Sequence, residues 1–117
     1  MVAATHGEIA PLVAALTPRD VDGTRLSLYT HGDREVDVLV TGVGMVATAV
    51  WTTRMLAGAH YDLALNLGLC GSFDPAFPLD SVLCVTQDSM PELGAEDGEA
   101  FLPLESLGFL DPNERPY

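Results

Sequence analysis

Apolar and polar positions change period several times along the chain, and each change marks an element. Val2 to Ala4 is a short apolar stub, read as the end of a first strand, and it leads into "ATHGEIAPL". Thr5-x-x-Glu8 fits a capping box, in which the glutamate reaches back to a backbone N–H. Pro11, by contrast, prefers the first helical position, which would start the helix near Ala10 and leave Glu8 in the approach loop. Either way the spacing predicts a helix to about Leu16 that stops at "TPRD". "RLSLYT" (Arg25 to Thr30) and "EVDVLVT" (Glu35 to Thr41) alternate with a period of two around the glycine-bearing turn "HGDR", which predicts a β-hairpin. After Gly44 the pattern becomes helical from Met45 to about Ala57, with Gly58 as the stop. "LALNLG" reads as a buried strand, "LCGSFDPAFPLD" as a proline-bearing loop and "SVLCVT" as a further strand. Beyond Gln87 only "PLESLG" reads as a short helical turn. Strands alternating with helices predict an α/β fold with a parallel or mixed sheet.

Composition narrows the function classes. A chain of 117 residues, 48% hydrophobic and 19% charged, suits one modest domain with a core. No apolar run approaches the roughly 20 residues that span a bilayer, and the N-terminus lacks the basic start of a signal peptide. A soluble, cytoplasmic protein with no membrane partner is the expectation. The net charge of -12, with arginine as the basic residue and no lysine, denies nucleic acid the basic footprint it requires. Asp88, Glu92, Glu96, Asp97, Glu99, Glu105, Asp111 and Glu114 face only Arg115, which reads as a solvated segment. Cys70 and Cys84 lie in or beside apolar segments and are expected as reduced thiols packed like small hydrophobes. They form no C-x-x-C pair, and His6, His31 and His60 are scattered, so no metal site is expected.

Gly42-x-Gly44-x-x-Ala47 satisfies the dinucleotide fingerprint of a glycine turn between a strand and a helix. That reading also needs an acid about 20 residues on, at the carboxyl end of the next strand. Asp62 has the right count but precedes "LALNL", at the opposite end of that strand, so no dinucleotide cofactor is expected. Walker-type phosphate binding fails for want of a lysine. Two glycine-rich loops nonetheless follow strands, "TGVG" (Thr41 to Gly44) and "NLGLCGS" (Asn66 to Ser72), and "ATHGE" follows the apolar stub. Loops leaving the carboxyl ends of strands are where α/β sheets bind ligands, and glycines let backbone approach a polar ligand closely.

Taken together, "ATHGEIAPL", "VLVTGVGMVATA", "NLGLCGSFD" and "VTQDSMPELGAEDGEAFLPL" are similar to the N-terminal half of the futalosine hydrolase family. That family lies within the purine nucleoside phosphorylase and methylthioadenosine/S-adenosylhomocysteine nucleosidase superfamily. The resemblance runs to about Gly108, and "GSFDP", "VTQD" and "LGAEDGEAF" are its more specific parts. It implies a three-layer αβα architecture with a central mixed sheet, of which residues 1–117 form the N-terminal half. It also implies hydrolysis of the N-glycosidic bond of futalosine, releasing hypoxanthine on the route to menaquinone. No cofactor is implied, and the full-length family member is expected to be a homo-oligomer acting on a small nucleoside.

Residue by residue, the resemblance places the catalytic carboxylate, which activates or positions water, at Glu8. It assigns substrate binding to Thr41, Gly42 and Gly44 beside the ribosyl group, and to Asn66, Gly68 and Gly71 at the neighbouring strand end. Phe73 and Phe101 are further candidates for the pocket lining. Phosphorylases of the superfamily carry an arginine where this chain has Asn66, and another in the loop where it has Glu8. Loss of a phosphate clamp and gain of a carboxylate favour water as the nucleophile. The family's general acid, its base-stacking residues and its Met-Glu ribose grip fall in the second half of the domain, beyond Tyr117. The fragment alone is therefore expected to be inactive. The alternatives are a methylthioadenosine/S-adenosylhomocysteine nucleosidase, a true phosphorylase, or a non-catalytic nucleoside-binding module.

Overall fold

The computed structural model describes residues 1–109 and residue 111, in two compact units. The first, Met1–Phe73, is mixed α/β around a mixed sheet. Its elements run β1 (Val2–Ala3), α1 (His6–Val13), β2 (Thr17–Asp20), β3 (Leu26–His31), β4 (Arg34–Val40) and α2 (Met45–Gly58). The strand order is β1-β4-β3-β2, with β1 parallel to β4 and the remaining pairs antiparallel.

The β3–β4 hairpin forms as its alternation predicts, in register from Leu26 opposite Leu39 to His31 opposite Arg34. Gly32 takes a φ of +62° at the turn, the conformation that lets two residues reverse the chain without splaying the strands. Ser27 and Tyr29 of β3 are buried while Leu28 and Thr30 are partly exposed, the expected period of two. β4 departs from alternation at its end: Val38, Leu39 and Val40 are all buried. It is a central strand with neighbours on both edges, so residues on both of its faces are covered.

Helix α1 begins at the Thr5 cap, so the capping box wins over the proline signal and Pro11 lies inside the helix. Pro11 forgoes one backbone bond in a helix of only eight residues. Ile9 and Val13, one helical turn apart, face a core of Ala3, Tyr29 and Val38, joined by Leu16 and Leu67. In α2, Thr48, Trp51, Thr52 and Met55 form the partly buried stripe, at the spacing of one helical face.

Several expectations are corrected. "TPRD" is not merely a stop: Thr17–Asp20 pairs with β3 as the edge strand β2, with a register shift between Pro18 and Asp20. An edge strand tolerates Pro18 because one side of its backbone needs no ladder partner. "LALNLG" is not a buried strand. It is largely exposed and joins the sheet by one parallel bridge, Asn66 to Val2, flanked by Val2 N–H to Leu65 O (2.8 Å) and Leu67 N–H to Val2 O (2.8 Å). Two-residue β1 offers too short an edge for a longer ladder.

The second unit starts at Asp74. "SVLCVT" forms no strand and lies exposed, with Val82 at 97% and Val85 at 75%. Regular structure appears instead in "LGAEDGEAFLP", as an antiparallel hairpin of β5 (Gly94–Asp97) and β6 (Ala100–Pro103). "PLESLG" makes the expected short turn, closed by Ser106 N–H to Pro103 O (3.0 Å) and Phe109 N–H to Leu104 O (3.0 Å). Cys70 and Cys84 are free thiols as expected, but both are exposed rather than packed. No helix among the described residues is long and apolar enough to cross a membrane.

Candidate functional site

β1 has parallel neighbours on both edges: β4 on one side, and the Leu65–Leu67 segment on the other. The chain passes from β4 through α2 to that segment, so the order around β1 reverses there. In open α/β sheets such a reversal opens a crevice at the carboxyl ends of the strands. Three loops leave from this end: Ala4–Thr5, Thr41–Gly44, and the stretch after Asn66.

Glu8 is fixed between two of these loops. Its Oε2 accepts from the Thr5 N–H (2.8 Å) and from the Thr5 hydroxyl (2.9 Å), and its own N–H donates to Thr5 Oγ1 (3.4 Å). Its Oε1 accepts from the Leu69 N–H (3.3 Å), across the crevice. The Thr5 hydroxyl first, then the backbone N–H groups of Leu69 and Thr5, hold the carboxyl below the usual glutamate range. No charged neighbour contributes. The result is a solvent-facing carboxylate, ionised at neutral pH, aimed at a glycine loop.

Gly68 supplies the clearance. A Cβ there would sit 3.3 Å from Glu8 Oε1, tighter than an ordinary contact. Asn66 forms the bridge to Val2, and its exposed side chain stands at the same strand end. Gly71 lies exposed, with open space where a side chain would project. Phe73 is fully exposed.

Thr41 is buried and ties the second loop to the first. Its N–H donates to Ala3 O (2.9 Å) and the Gly42 N–H to Ala4 O (3.1 Å), while Thr41 Oγ1 lies 3.1 Å from Thr48 Oγ1 of α2. Gly42 and Gly44 take φ of +87° and +104°, backbone that side-chain-bearing residues rarely adopt, and Gly44 caps α2. Glu8, Thr41, Gly42, Asn66 and Gly68 therefore gather around the carboxyl end of β1. Gly44 and Gly71 lie farther along the same loops.

Sequence reasoning missed Arg25. Its guanidinium donates to Thr41 O (2.8 Å), and it stacks on Trp51, 5.0 Å from the ring centroid, bracing the Thr41–Gly42 loop against α2. A cation opening β3, opposite the end of β4 in a hairpin register, was the available signal. Two cavities of the first unit lie elsewhere. One, about 770 Å³, borders Arg25, Trp51 and Arg54; the other, about 670 Å³, borders Met1, Asp37 and Tyr61. Glu8 lines neither, and its chemistry marks the crevice. Among the described residues no group of three or more His, Cys, Asp or Glu side chains could hold a metal.

Comparison with known proteins bears on this arrangement. The family model described as "Phosphorylase superfamily" matches residues 1–113. A curated protein from Streptomyces coelicolor (strain ATCC BAA-471 / A3(2) / M145), named futalosine hydrolase, is 36% identical over 78 residues, covering 62% of this chain and 33% of its own length. The chain thus spans about a third of the curated relative it matches. No solved structure matches the chain.

Proposed function

We infer the function from one premise: the chain belongs to the phosphorylase superfamily. Within it, the reading we put forward is hydrolysis of a nucleoside N-glycosidic bond, with futalosine as substrate and hypoxanthine as the released base. The observation that carries this reading is the ionised Glu8 carboxylate, held between two loops at the carboxyl end of β1. The Streptomyces relative named futalosine hydrolase supports the choice of substrate. Residues 1–117 then form one part of the catalytic domain.

The chemistry follows from what the bond requires. As the C1′–N bond lengthens, positive charge builds on the ribosyl centre, and a water must attack C1′ as the base departs. Glu8 accepts the proton that this water loses, and its negative charge also stabilises the developing cation. The base leaves with a proton from a general acid. Thr41, Gly42 and Gly44 border the ribosyl group, and Asn66, Gly68 and Gly71 bind the substrate from the neighbouring strand end. Asn66 cannot clamp a phosphate as an arginine does, which favours water over phosphate.

The test is Glu8→Gln in the full-length protein, with hypoxanthine release from futalosine as the readout. Turnover should fall by about 100-fold or more while futalosine binding persists. Retained turnover would remove Glu8 from the mechanism. Phosphate-dependent cleavage would make the protein a phosphorylase, and preference for methylthioadenosine would move it to the nucleosidases. Binding of futalosine with no turnover by the wild type would leave a binding module.

A further inference from the structure

The two oxygens of Glu8 are not equivalent. Oε2 accepts from both the N–H and the hydroxyl of Thr5, so both of its in-plane lone pairs are engaged. Oε1 accepts from the Leu69 N–H at 3.3 Å, a longer bond than either to Oε2, and it lies beside Gly68, where the absence of a Cβ keeps the approach clear. A carboxylate that must take a proton from water needs one oxygen unfilled and the other anchored.

We propose that Thr5 is a positioning residue that pins Glu8 Oε2 and so assigns Oε1 as the oxygen that accepts the proton from the attacking water. This rests on the hydrolase reading above. Capping of α1 and orientation of the base are then one device: the hydroxyl that starts the helix also fixes the carboxylate. The proton passes from water to Oε1 as the water oxygen bonds to C1′, and the Thr5 hydroxyl keeps its own proton throughout. Its donor must be a hydroxyl. An acceptor-only side chain would cap the helix equally well but would face Oε2 with a second negative charge.

That difference separates structure from function. Aspartate is as good an N-cap as threonine, so Thr5→Asp should keep α1 capped and the full-length protein folded, with the thermal midpoint lowered only by the repulsion between the two carboxylates and restored at acid pH. With futalosine as substrate, its kcat should fall by about 10-fold to 100-fold with KM little changed. The acid limb of its pH profile should move to higher pH. Thr5→Ser, which keeps the hydroxyl, should recover most of the turnover, and Thr5→Val should not. On the intact 117-residue chain, the carbon-13 signal of the Glu8 carboxyl should titrate at higher pH in Thr5→Asp than in wild type. Wild-type kcat in Thr5→Asp would overturn the proposal, as would equal impairment of Thr5→Ser and Thr5→Val. An unmoved Glu8 titration would overturn it without any assay of turnover. Phosphate-dependent cleavage, or no cleavage of futalosine by the wild type, would fell the hydrolase reading itself, whereas an enzyme silenced by Glu8→Gln but indifferent to Thr5→Asp would fell only the positioning role.

Discussion

"EVDVLVT" and "SVLCVT" look alike as sequence: short, β-branched and bounded by turn residues. In the first unit, "EVDVLVT" became β4, with Val38 and Leu39 each 3% exposed. In the second, "SVLCVT" became irregular chain with Val82 at 97%. The difference is not propensity. β4 has a hairpin partner across a two-residue turn and a parallel partner in β1, so its backbone groups are paired and its side chains covered. "SVLCVT" follows a proline-bearing loop, and no strand among the described residues pairs with it. An apolar run becomes a strand where an edge is waiting for it.

Core truncation gives the largest contrast. Ile9 is 1% exposed in the core, so Ile9→Ala should cost about 2–5 kcal/mol of unfolding free energy in urea. Val82→Ala should stay within about 0.5 kcal/mol. Equal losses at the two sites would mean that both regions are packed, and the contrast would collapse.

A pH series probes a tie that belongs to the first unit. The Tyr61 hydroxyl donates to Asp37 Oδ2 (2.7 Å), joining the chain after α2 to β4. Burial first, then this bond and the Asp37 charge, push the phenol from its ordinary 10.0 up to about 12. Because the folded value is raised, its contribution is fully present below pH 10 and is lost as pH rises through about 12. Tyr61→Phe should be less stable than wild type at neutral pH, and the gap should close across that window in equilibrium unfolding. A gap that stays constant with pH would detach the phenol from the tie.

The smallest effect is expected at the Arg19–Glu35 ion pair, which joins the edge strand to β4 at the exposed surface. Glu35→Gln should change stability by no more than about 1 kcal/mol, and less in high salt. A larger, salt-independent loss would show that the edge strand contributes more than its exposure suggests.

Much of the first unit was legible because its signals are local. Alternation around "HGDR" located the hairpin, the Thr5–Glu8 box located the start of α1, and Gly44 and Gly58 bracketed α2. The edge strand β2 was not legible, since Pro18 argues against a strand until an edge position excuses it. The β5–β6 hairpin had a sign in Asp97-Gly98, but the acidic run around it reads as a solvated segment. For the site, the chain order of three strand-end loops was visible in sequence. Their convergence was not, because it depends on β1 lying between β4 and the Leu65–Leu67 segment.

The sequence by itself determined where the proposed site residues stand: a capping-box carboxylate after the first apolar stub and glycines after the next two apolar runs are matters of residue type and spacing, which local steric and electrostatic rules can read. The roles proposed for Glu8 and Asn66 come from the family resemblance. Only the tertiary structure decided how Glu8 is held. The box Thr5-x-x-Glu8 fills one oxygen locally, but the partner of the other, the Leu69 N–H, lies 61 residues away along the chain. Helix geometry specifies the near contact, whereas the far one exists only because parallel pairing on both edges of β1 brings the two loops together.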